Sequence, residues 1–375
     1  MLKRFYDNLG EWLKLEKVLV IYGPRRSGKT TLLKHFLENN KLKLRFDSGD
    51  NIRVQKILSS QDFPQIFAYV KGFELIVIDE AQQIPNIGMG LKIIVDHAPG
   101  IRVIAIGSSS FDLARQIGEP LTGRKTTITL YPISQLELSE DMNPFDLKEK
   151  LEEFLIFGSY PEVVNRNDRQ EKIDALEELV GSYLFKDVLA LEKIKGADAL
   201  LNLLKLLAFQ IGNEVSLNEL ATQLGVDVKT VNRYLDLLEK TFVIVRVGAL
   251  SRNLRKEITK KQKYYFVDNG IRNAVISQFN SLIDRNDIGA LWENFVFIER
   301  LKKRSYQKIY ANDYFWRTYD QKEIDLIEER DGKLFGYEFK WSDKKNIQVP
   351  REWKENYPNS EFLVITPENY LEFVT

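Results

Sequence analysis

The sequence of 375 residues predicts an α/β protein in three parts. Residues 1–145 alternate short apolar runs with helical patterns, which predicts a parallel sheet covered by helices. Residues 146–277 are mostly helical and predict a winged helix-turn-helix, and residues 278–375 return to strands and predict a further α/β domain. A chain of this length is too long for one ordinary hydrophobic core.

The composition is that of a globular protein whose charges balance. Hydrophobic residues make up 44%, charged residues 29%, and the formal net charge is +0, so any nucleic-acid binding would need a local basic patch. The absence of cysteine excludes disulfides and thiolate metal sites. The first residues lack the apolar core of a signal peptide, and the apolar runs are of strand length. We therefore expect a cytoplasmic protein with no membrane segment.

The first part is organised around residues 23–30, which read GPRRSGKT. They fit G-x-x-x-x-G-K-[ST], the loop that binds the phosphates of nucleoside triphosphates. An apolar run, KVLVIY, precedes the loop and a helical pattern follows it, so backbone N–H groups and the helix dipole would converge on one point. We therefore predict an ATP site. Its residues are Gly23, Pro24, Arg25, Arg26, Ser27, Gly28, Lys29, Thr30 and Thr31.

A second motif, ELIVIDE at residues 74–80, supplies two carboxylates. The apolar run predicts a buried parallel strand that ends at the carboxyl edge of the sheet, where ligands bind in such folds. Asp79 and the Thr30 hydroxyl would bind Mg²⁺, Lys29 would reach the β- and γ-phosphates, and Glu80 would polarise the attacking water.

Two further residues have open roles. Ser108 follows the strand RVIAI and would either sense the γ-phosphate or cap a helix over residues 111–117. Arg124 lies on a glycine turn before a strand. It would either reach the γ-phosphate, in its own chain or in a neighbour's, or be a surface arginine.

The succession GPRRSGKTTLL, IVIDEAQ, AIGSSS and LTGRKTTITLYPIS resembles a branch of AAA+-type ATPases of archaea and bacteria, and the resemblance extends over nearly the whole chain. It implies a P-loop sheet with the strand order 5-1-4-3-2 and suggests a homo-oligomer. By position it implies the phosphate role for Gly23, Gly28, Lys29 and Thr30, the Mg²⁺ and water roles for Asp79 and Glu80, the sensor role for Ser108 and the arginine role for Arg124.

The middle part contains the segments GSYPEVV and, within residues 183–188, KDV, which also resemble the family. We interpret them as helix packing over the ATPase. Residues 216–240 predict a helix-turn-helix, with a capping box at Ser216 and Glu219 and a tight turn at Gly225. Strands at residues 242–247 and 264–267 would form the wing. The connection between them is basic, through Arg252, Arg255, Lys256, Lys260, Lys261 and Lys263.

DNA binding is one interpretation of this region, with the second helix in the major groove and the basic wing on phosphates. However, the outward face of that helix is mixed, since it offers Lys229, Asn232, Arg233 and Asp236. Winged helices attached to ATPases also act as lids and as protein contacts, so both interpretations stay open.

The last part follows a polar join at residues 280–288 that we expect to be flexible. Glu293 lies on an apolar helix, Asp325 on a strand, and Glu338 and Lys340 two residues apart on the next strand, hence on one face. Such carboxylates can bind Mg²⁺ or Mn²⁺ and orient a water for phosphodiester cleavage, with Lys340 activating that water. The alternative is a hairpin with exposed salt bridges.

The helix glutamate, EID and ExKWS resemble, in this order, the PD-(D/E)xK nuclease-like domain that ends the same family. The resemblance strengthens the prediction of metal ligands at Glu293, Asp325 and Glu338, although the fold also occurs without catalysis. The sequence thus predicts an ATPase coupled to nucleic-acid binding or cleavage. The alternative is a nucleotide-dependent switch that binds DNA or protein and whose nuclease-like domain is inactive.

Overall fold

The computed structural model describes residues 2–107, 118, 120–181, 197–250, 262–318, 322–342 and 348–375. The chain forms two compact units, one of residues 1–132 with 240–242 and the other of residues 133–239 with 243–375. The predicted boundary between residues 277 and 278 thus falls inside one compact unit. No helix in these ranges combines the length and the apolar character that crossing a membrane requires.

The first unit contains a five-stranded sheet in which every neighbouring pair is parallel. Its strands are β1 (Val18–Tyr22), β2 (Leu44–Ser48), β3 (Leu75–Asp79), β4 (Arg102–Ile106) and β5 (Lys125–Thr129). The order β2-β3-β4-β1-β5, counted from the other edge, is 5-1-4-3-2. It confirms the order that the family resemblance implies.

Helices of the first unit pack apolar faces against this sheet. They are α1 (Lys29–Glu38), α2 (Ile52–Ser59), α3 (Phe63–Val70) and α4 (Ile87–His97), with single 3-10 turns at Leu9–Glu11 and Ala81–Gln83. The central strands are fully buried because helices lie over them, as in Val20, Ile76 and Val103.

The second unit contains most of the helices that the structure describes. They are α5 (Gln135–Leu138), α6 (Pro144–Glu149), α7 (Leu151–Phe157), α8 (Pro161–Val164), α9 (Arg169–Leu179), α10 (Ala197–Phe209), α11 (Leu217–Leu224), α12 (Val228–Lys240), α13 (Asn269–Val275), α14 (Ile288–Gln307), α15 (Arg351–Asn356) and α16 (Tyr370–Val374), with a 3-10 turn at Leu282–Asp284. Helices α11 and α12 are the predicted helix pair. The Ser216 side chain caps α11 by accepting the Glu219 N–H, and Gly225 ends it with a φ of 65°.

The second sheet joins the hairpin predicted as a wing to the C-terminal strands. Its strands are β6 (Ile244–Ala249), β7 (Lys263–Phe266), β8 (Asn312–Arg317), β9 (Glu323–Arg330), β10 (Lys333–Phe339) and β11 (Glu361–Ile365), in the order β11-β10-β9-β8-β6-β7. Strands β6 and β7 are antiparallel, as a wing requires, but β6 also pairs in parallel with β8 through Gly248 and Ala249. Residues 183–188 and the predicted wing residues Arg252, Arg255, Lys256, Lys260 and Lys261 lie outside the described residues.

The polar join at residues 280–288 is anchored by buried charges. The Arg285 side chain is fully buried and donates to Asp287 at 2.8 Å and to the Gln278 carbonyl oxygen at 2.7 Å. Arg272 donates to the same Asp287 at 2.6 Å. These pairs fix the segment at residues 285 and 287, near its carboxyl end, which is contrary to the expectation of a flexible join.

The segment GSYPEVV packs inside the second unit. Gly158 has a φ of 70°, and a Cβ there would lie 2.0 Å from Asp268 Oδ1. Asp268 accepts the Ser159 N–H at 2.7 Å, and Lys302 donates to Ser159 Oγ at 3.1 Å and to Glu299 at 2.7 Å. The tight approach therefore builds a hydrogen-bonded polar cluster inside the second unit.

Candidate functional site

Strand β1 leads directly into the glycine-rich loop, and α1 begins at Lys29. Gly23 has a φ of 148°, and a Cβ there would lie 2.1 Å from the Leu130 carbonyl oxygen, so no larger residue fits. The loop thus has the strand, turn and helix start that the motif predicts.

Lys29 and Ser27 present polar groups inside this loop. Lys29 is 7% exposed, and its Nζ donates to the carbonyl oxygens of Gly23 at 2.9 Å and Pro24 at 2.7 Å. Burial lowers the pKa of Lys29 to about 8, against the attraction of nearby carboxylates. The Ser27 hydroxyl is buried and has no hydrogen-bond partner among the described residues. Such groups fit phosphate oxygens, which would accept from both.

The two predicted acids end strand β3, at the same edge of the sheet as the loop. The Thr30 hydroxyl donates to Asp79 Oδ2 at 3.5 Å, and Asp79 Oδ1 accepts the Glu80 N–H at 2.9 Å. Burial raises the pKa of Asp79. The structure therefore brings Thr30 and Asp79 together as oxygen donors, which is the donor type that Mg²⁺ prefers.

Glu80 is held in an unusual backbone conformation, with a φ of 47°. The Gln82 side-chain amide donates to Glu80 Oε2. Gln82 was not singled out from the sequence, although its place two residues after Glu80, in the turn that follows the strand, is a usable signal. A non-glycine residue in the left-handed region often marks a functional site.

Arg4 is the second residue that the motifs do not reveal. It is 8% exposed, and its guanidinium donates to the Ser27 carbonyl oxygen at 2.6 Å and to the Tyr131 carbonyl oxygen at 2.7 Å. The contact joins the amino-terminal segment to the loop across 23 positions of sequence. No local pattern around Arg4 indicates it.

Two further residues were predicted for this site, Ser108 and Arg124. Ser108 lies outside the described residues. Arg124 directly precedes β5, and the first residue of β5 pairs with Val18 at the start of β1. The Nε of Arg124 donates to Asp96 at 2.6 Å. The loop follows the other end of β1, a strand's length or roughly 16 Å away. The prediction that Arg124 acts on phosphate in its own chain is therefore wrong.

The structure also brings the four predicted C-terminal residues into one cluster, and three of them lie on β9, on β10 or directly after β10. Asp325 on β9 accepts the Phe339 N–H of β10 at 2.8 Å, and Lys340 Nζ lies 2.6 Å from Glu338 Oε1. Burial, with repulsion from Glu293, raises the pKa of Asp325. Burial, with repulsion from Asp325, raises the pKa of Glu338.

The fourth residue, Glu293 on α14, contacts a lysine. Lys263 Nζ lies 3.0 Å from Glu293 Oε1, 2.5 Å from Glu323 Oε1 and 3.9 Å from Asp325 Oδ1, and its side chain is 1% exposed. The Tyr265 hydroxyl donates to the same Glu293 oxygen at 2.7 Å. The prediction of Lys263 as part of a basic wing surface is therefore wrong. The alternation in KYYF, which puts Lys263 and Tyr265 on one face of the strand, is the signal that could have placed it.

This arrangement does not fit the predicted second metal. Within the described ranges, no group of three or more histidine, aspartate or glutamate side chains is arranged to hold a metal ion. Lys263 lies among the oxygens that would be the ligands, and Lys340 pairs with Glu338. The set Glu293, Asp325 and Glu338 is thus a carboxylate cluster neutralised by lysines.

Comparison with known proteins supports the assignment of the first unit. A family model described as an AAA domain matches residues 15–139, and two models described as domains of unknown function match residues 148–282 (DUF8612) and 288–373 (DUF4143). An uncharacterised protein of Mycobacterium tuberculosis is 26% identical over 333 residues, which cover 88% of this chain and 71% of that protein. An uncharacterised protein of Haemophilus influenzae is 25% identical over 396 residues, with coverages of 98% and 91%.

Among solved structures, a Walker-type ATPase of Pyrococcus abyssi is similar with a TM-score of 0.46 and 15% identity, and the match covers 70% of this chain and 91% of that one. The assignment rests on the AAA domain match, the strand order of the first sheet and the phosphate-binding loop at its carboxyl edge. Residues 15–139 of this chain therefore match the AAA domain model and have the strand order and glycine-rich loop of a P-loop domain.

Proposed function

We propose that the first unit binds ATP with Mg²⁺ and hydrolyses it to ADP and phosphate. The observation that supports this most directly is the contact of Thr30 with Asp79 beside the buried Lys29. This places a hydroxyl, a carboxylate and an ammonium at the amino end of α1. An anion bound there would also meet the N–H groups of the loop and the helix dipole.

Binding would begin with an exchange of partners at Lys29. Its ammonium, which bonds to the carbonyl oxygens of Gly23 and Pro24, would turn to the β- and γ-phosphate oxygens. The buried Ser27 hydroxyl would gain an acceptor. Thr30 and Asp79 would hold Mg²⁺, which neutralises charge on the phosphates.

Glu80 would act on the attacking water. As the water oxygen bonds to the γ-phosphorus, the bond from that phosphorus to the β–γ bridging oxygen breaks and ADP leaves. The water proton passes to Glu80, whose carboxylate is oriented by Gln82. Ser108 as a sensor, and Arg124 from a neighbouring copy in a homo-oligomer, are further parts of this proposal.

The test is ATP turnover and binding of Mg²⁺-ATP by purified protein. Lys29→Ala should abolish both. Glu80→Gln should keep binding and lower kcat by roughly a hundredfold or more, since it removes the proton acceptor. Lys34→Ala, which changes an exposed lysine on the same helix, is the matched control and should leave both unchanged. Wild-type turnover in Lys29→Ala would reject the proposal.

We propose for the second unit the role of a nucleotide-dependent module that binds DNA or a partner protein without cutting nucleic acid. The cluster of Glu293, Glu323 and Asp325 around Lys263 favours this role over metal-dependent cleavage. One observation favours the nuclease alternative: Glu338 Oε2 is buried and lacks a hydrogen-bond partner in the described part of the chain.

Two assays separate these roles. The binding module predicts no cleavage of DNA or RNA with Mg²⁺ or Mn²⁺, and a DNA affinity that falls with salt if DNA is the partner. Cleavage that is lost in Glu338→Ala would instead establish the nuclease alternative. Both assays are independent of the Lys29→Ala result.

A further inference from the structure

The lysine at the start of β7 is surrounded by carboxylates from separate elements. Glu293 comes from α14, whereas Glu323 and Asp325 come from β9. All three have an oxygen within 3.9 Å of Lys263 Nζ, and the lysine side chain is 1% exposed. An ammonium buried to this degree needs opposite charge close by, and here the charge comes from both elements.

Each carboxylate has further partners besides the lysine. Glu293 accepts the Tyr265 hydroxyl, Asp325 accepts the Phe339 N–H, and Glu323 lies 3.9 Å from Arg317. At least one oxygen of each of these three carboxylates is thus already engaged by a protein donor. Without a cation among them, three carboxylates in this partly buried place would repel one another.

We propose that the Lys263 ammonium is the resident cation of this cluster and holds the position that a divalent metal ion would need. The cluster then keeps its arrangement without metal, and it joins the hairpin β6–β7 to α14 and β9. This inference concerns the second unit alone and would stand even if ATP hydrolysis in the first unit were disproved.

If the Lys263 ammonium holds the place of a metal ion, removal of its charge should create a metal site. Lys263→Met replaces the ammonium by an uncharged side chain of similar length and leaves Glu293, Glu323 and Asp325 facing one another. Oxygen ligands of this kind suit Mn²⁺. Lys263→Arg is the matched control, because it keeps a cation at the same position.

The experiment is calorimetric titration of the nucleotide-free 375-residue protein with MnCl₂. The parent carries Asp79→Asn, so that the phosphate-binding loop does not contribute its own metal site. We expect no saturable binding in the parent or in Lys263→Arg. We expect one Mn²⁺ site in Lys263→Met, with a Kd at least tenfold lower than that of any Mn²⁺ binding in the parent. Mn²⁺ should raise the melting temperature of Lys263→Met alone.

Two results would overturn the proposal. The first is saturable Mn²⁺ binding by the parent that disappears when Asp325→Asn is added, since a metal would then bind beside Lys263. The second is a folded Lys263→Met protein that binds Mn²⁺ no more tightly than the parent. If Lys263→Met does not fold, the parent is compared with the parent that also carries Asp325→Asn. Mn²⁺ binding by the parent that is lost on adding Asp325→Asn contradicts the proposal. No Mn²⁺ binding by the parent supports the proposal.

Discussion

Arg4 Nη1 donates a hydrogen bond of 2.6 Å to the carbonyl oxygen of Ser27, inside the phosphate-binding loop. In a trans peptide the carbonyl and the next N–H point in opposite directions. Because Arg4 holds the Ser27 carbonyl on one side, the Gly28 N–H is directed to the other. A second bond, from Nη2 to the Tyr131 carbonyl oxygen, fixes the guanidinium itself.

Arg4→Ala should weaken ATP binding, because the loop loses the donor that orients its peptide. A hydrogen bond from a charged group contributes about 1.5–3 kcal/mol, so we expect KM for ATP to rise about tenfold or more. The effect on kcat should be smaller. Steady-state kinetics on Arg4→Ala, Arg4→Lys and the exposed Arg351→Ala measure this, and Arg4→Lys should recover part of the affinity. An unchanged KM in a folded Arg4→Ala protein would contradict the positioning role.

Arg124→Ala should leave ATP turnover unchanged in a monomeric preparation, because Arg124 pairs with Asp96 at the amino edge of the sheet. The measurement is kcat as a function of protein concentration. A fall in kcat that appears only at concentrations where the wild type assembles would show that Arg124 acts on a neighbouring copy. A fall in kcat at every protein concentration would mean that Arg124 acts on ATP in its own chain, contrary to the strand register.

Glu328 in the second unit is fully buried and accepts bonds from Arg300 Nε at 2.8 Å and Nη2 at 3.0 Å. Burial alone would raise the pKa of Glu328, but the bonds from Arg300 and the charges of Arg304 and Arg330 hold it below the ordinary value of 4.5. This carboxylate therefore stabilises the fold fully above pH 4.5. The contribution is lost as the pH falls below 4.5 and through the folded pKa.

Glu328→Gln should destabilise the second unit by about 3–5 kcal/mol at neutral pH, because three guanidinium groups, those of Arg300, Arg304 and Arg330, lose their buried partner. The difference from wild type should shrink as the pH falls below 4.5. Calorimetric melting between pH 7 and pH 3 measures both effects. Glu355→Gln, which breaks an exposed pair with Arg351, is the control and should change little. A difference from wild type that stays constant with pH would refute the ionised state of Glu328.

Gly158→Ala should destabilise the second unit by roughly 2 kcal/mol or more, since Asp268 must move and release the Ser159 N–H. Gly289→Ala is the matched control, because its Cβ would meet no atom within 4 Å and it lies in a helix. That change should be neutral or stabilising by up to about 1 kcal/mol. Chemical unfolding compares the two, and equal stabilities would disprove the tight approach at Gly158.

The elements of the first unit were predictable because their signals are local. A loop of eight residues, a strand before it and a helix after it specify the phosphate-binding site, and ELIVIDE places Asp79 at the same edge. Arg4 was not predictable in this way, since its partners are brought to it by the packing of distant segments. For Lys263, the alternation in KYYF indicates the face of the strand, but its carboxylate partners come from distant segments. Arg124 was misplaced for a related reason: its distance from the loop depends on which end of β5 lies beside the start of β1.

The parallel pairing of β6 with β8 limits where the chain can be truncated. A truncated protein that stops at residue 277 would retain β6 while losing β8, so the backbone groups of Gly248 and Ala249 would lose their strand partner. It would also retain Lys263 without Glu293, Glu323 or Asp325, and thus hold an interior ammonium with none of these counter-charges. Shortened forms made to isolate the helix-turn-helix should therefore end before β6 begins.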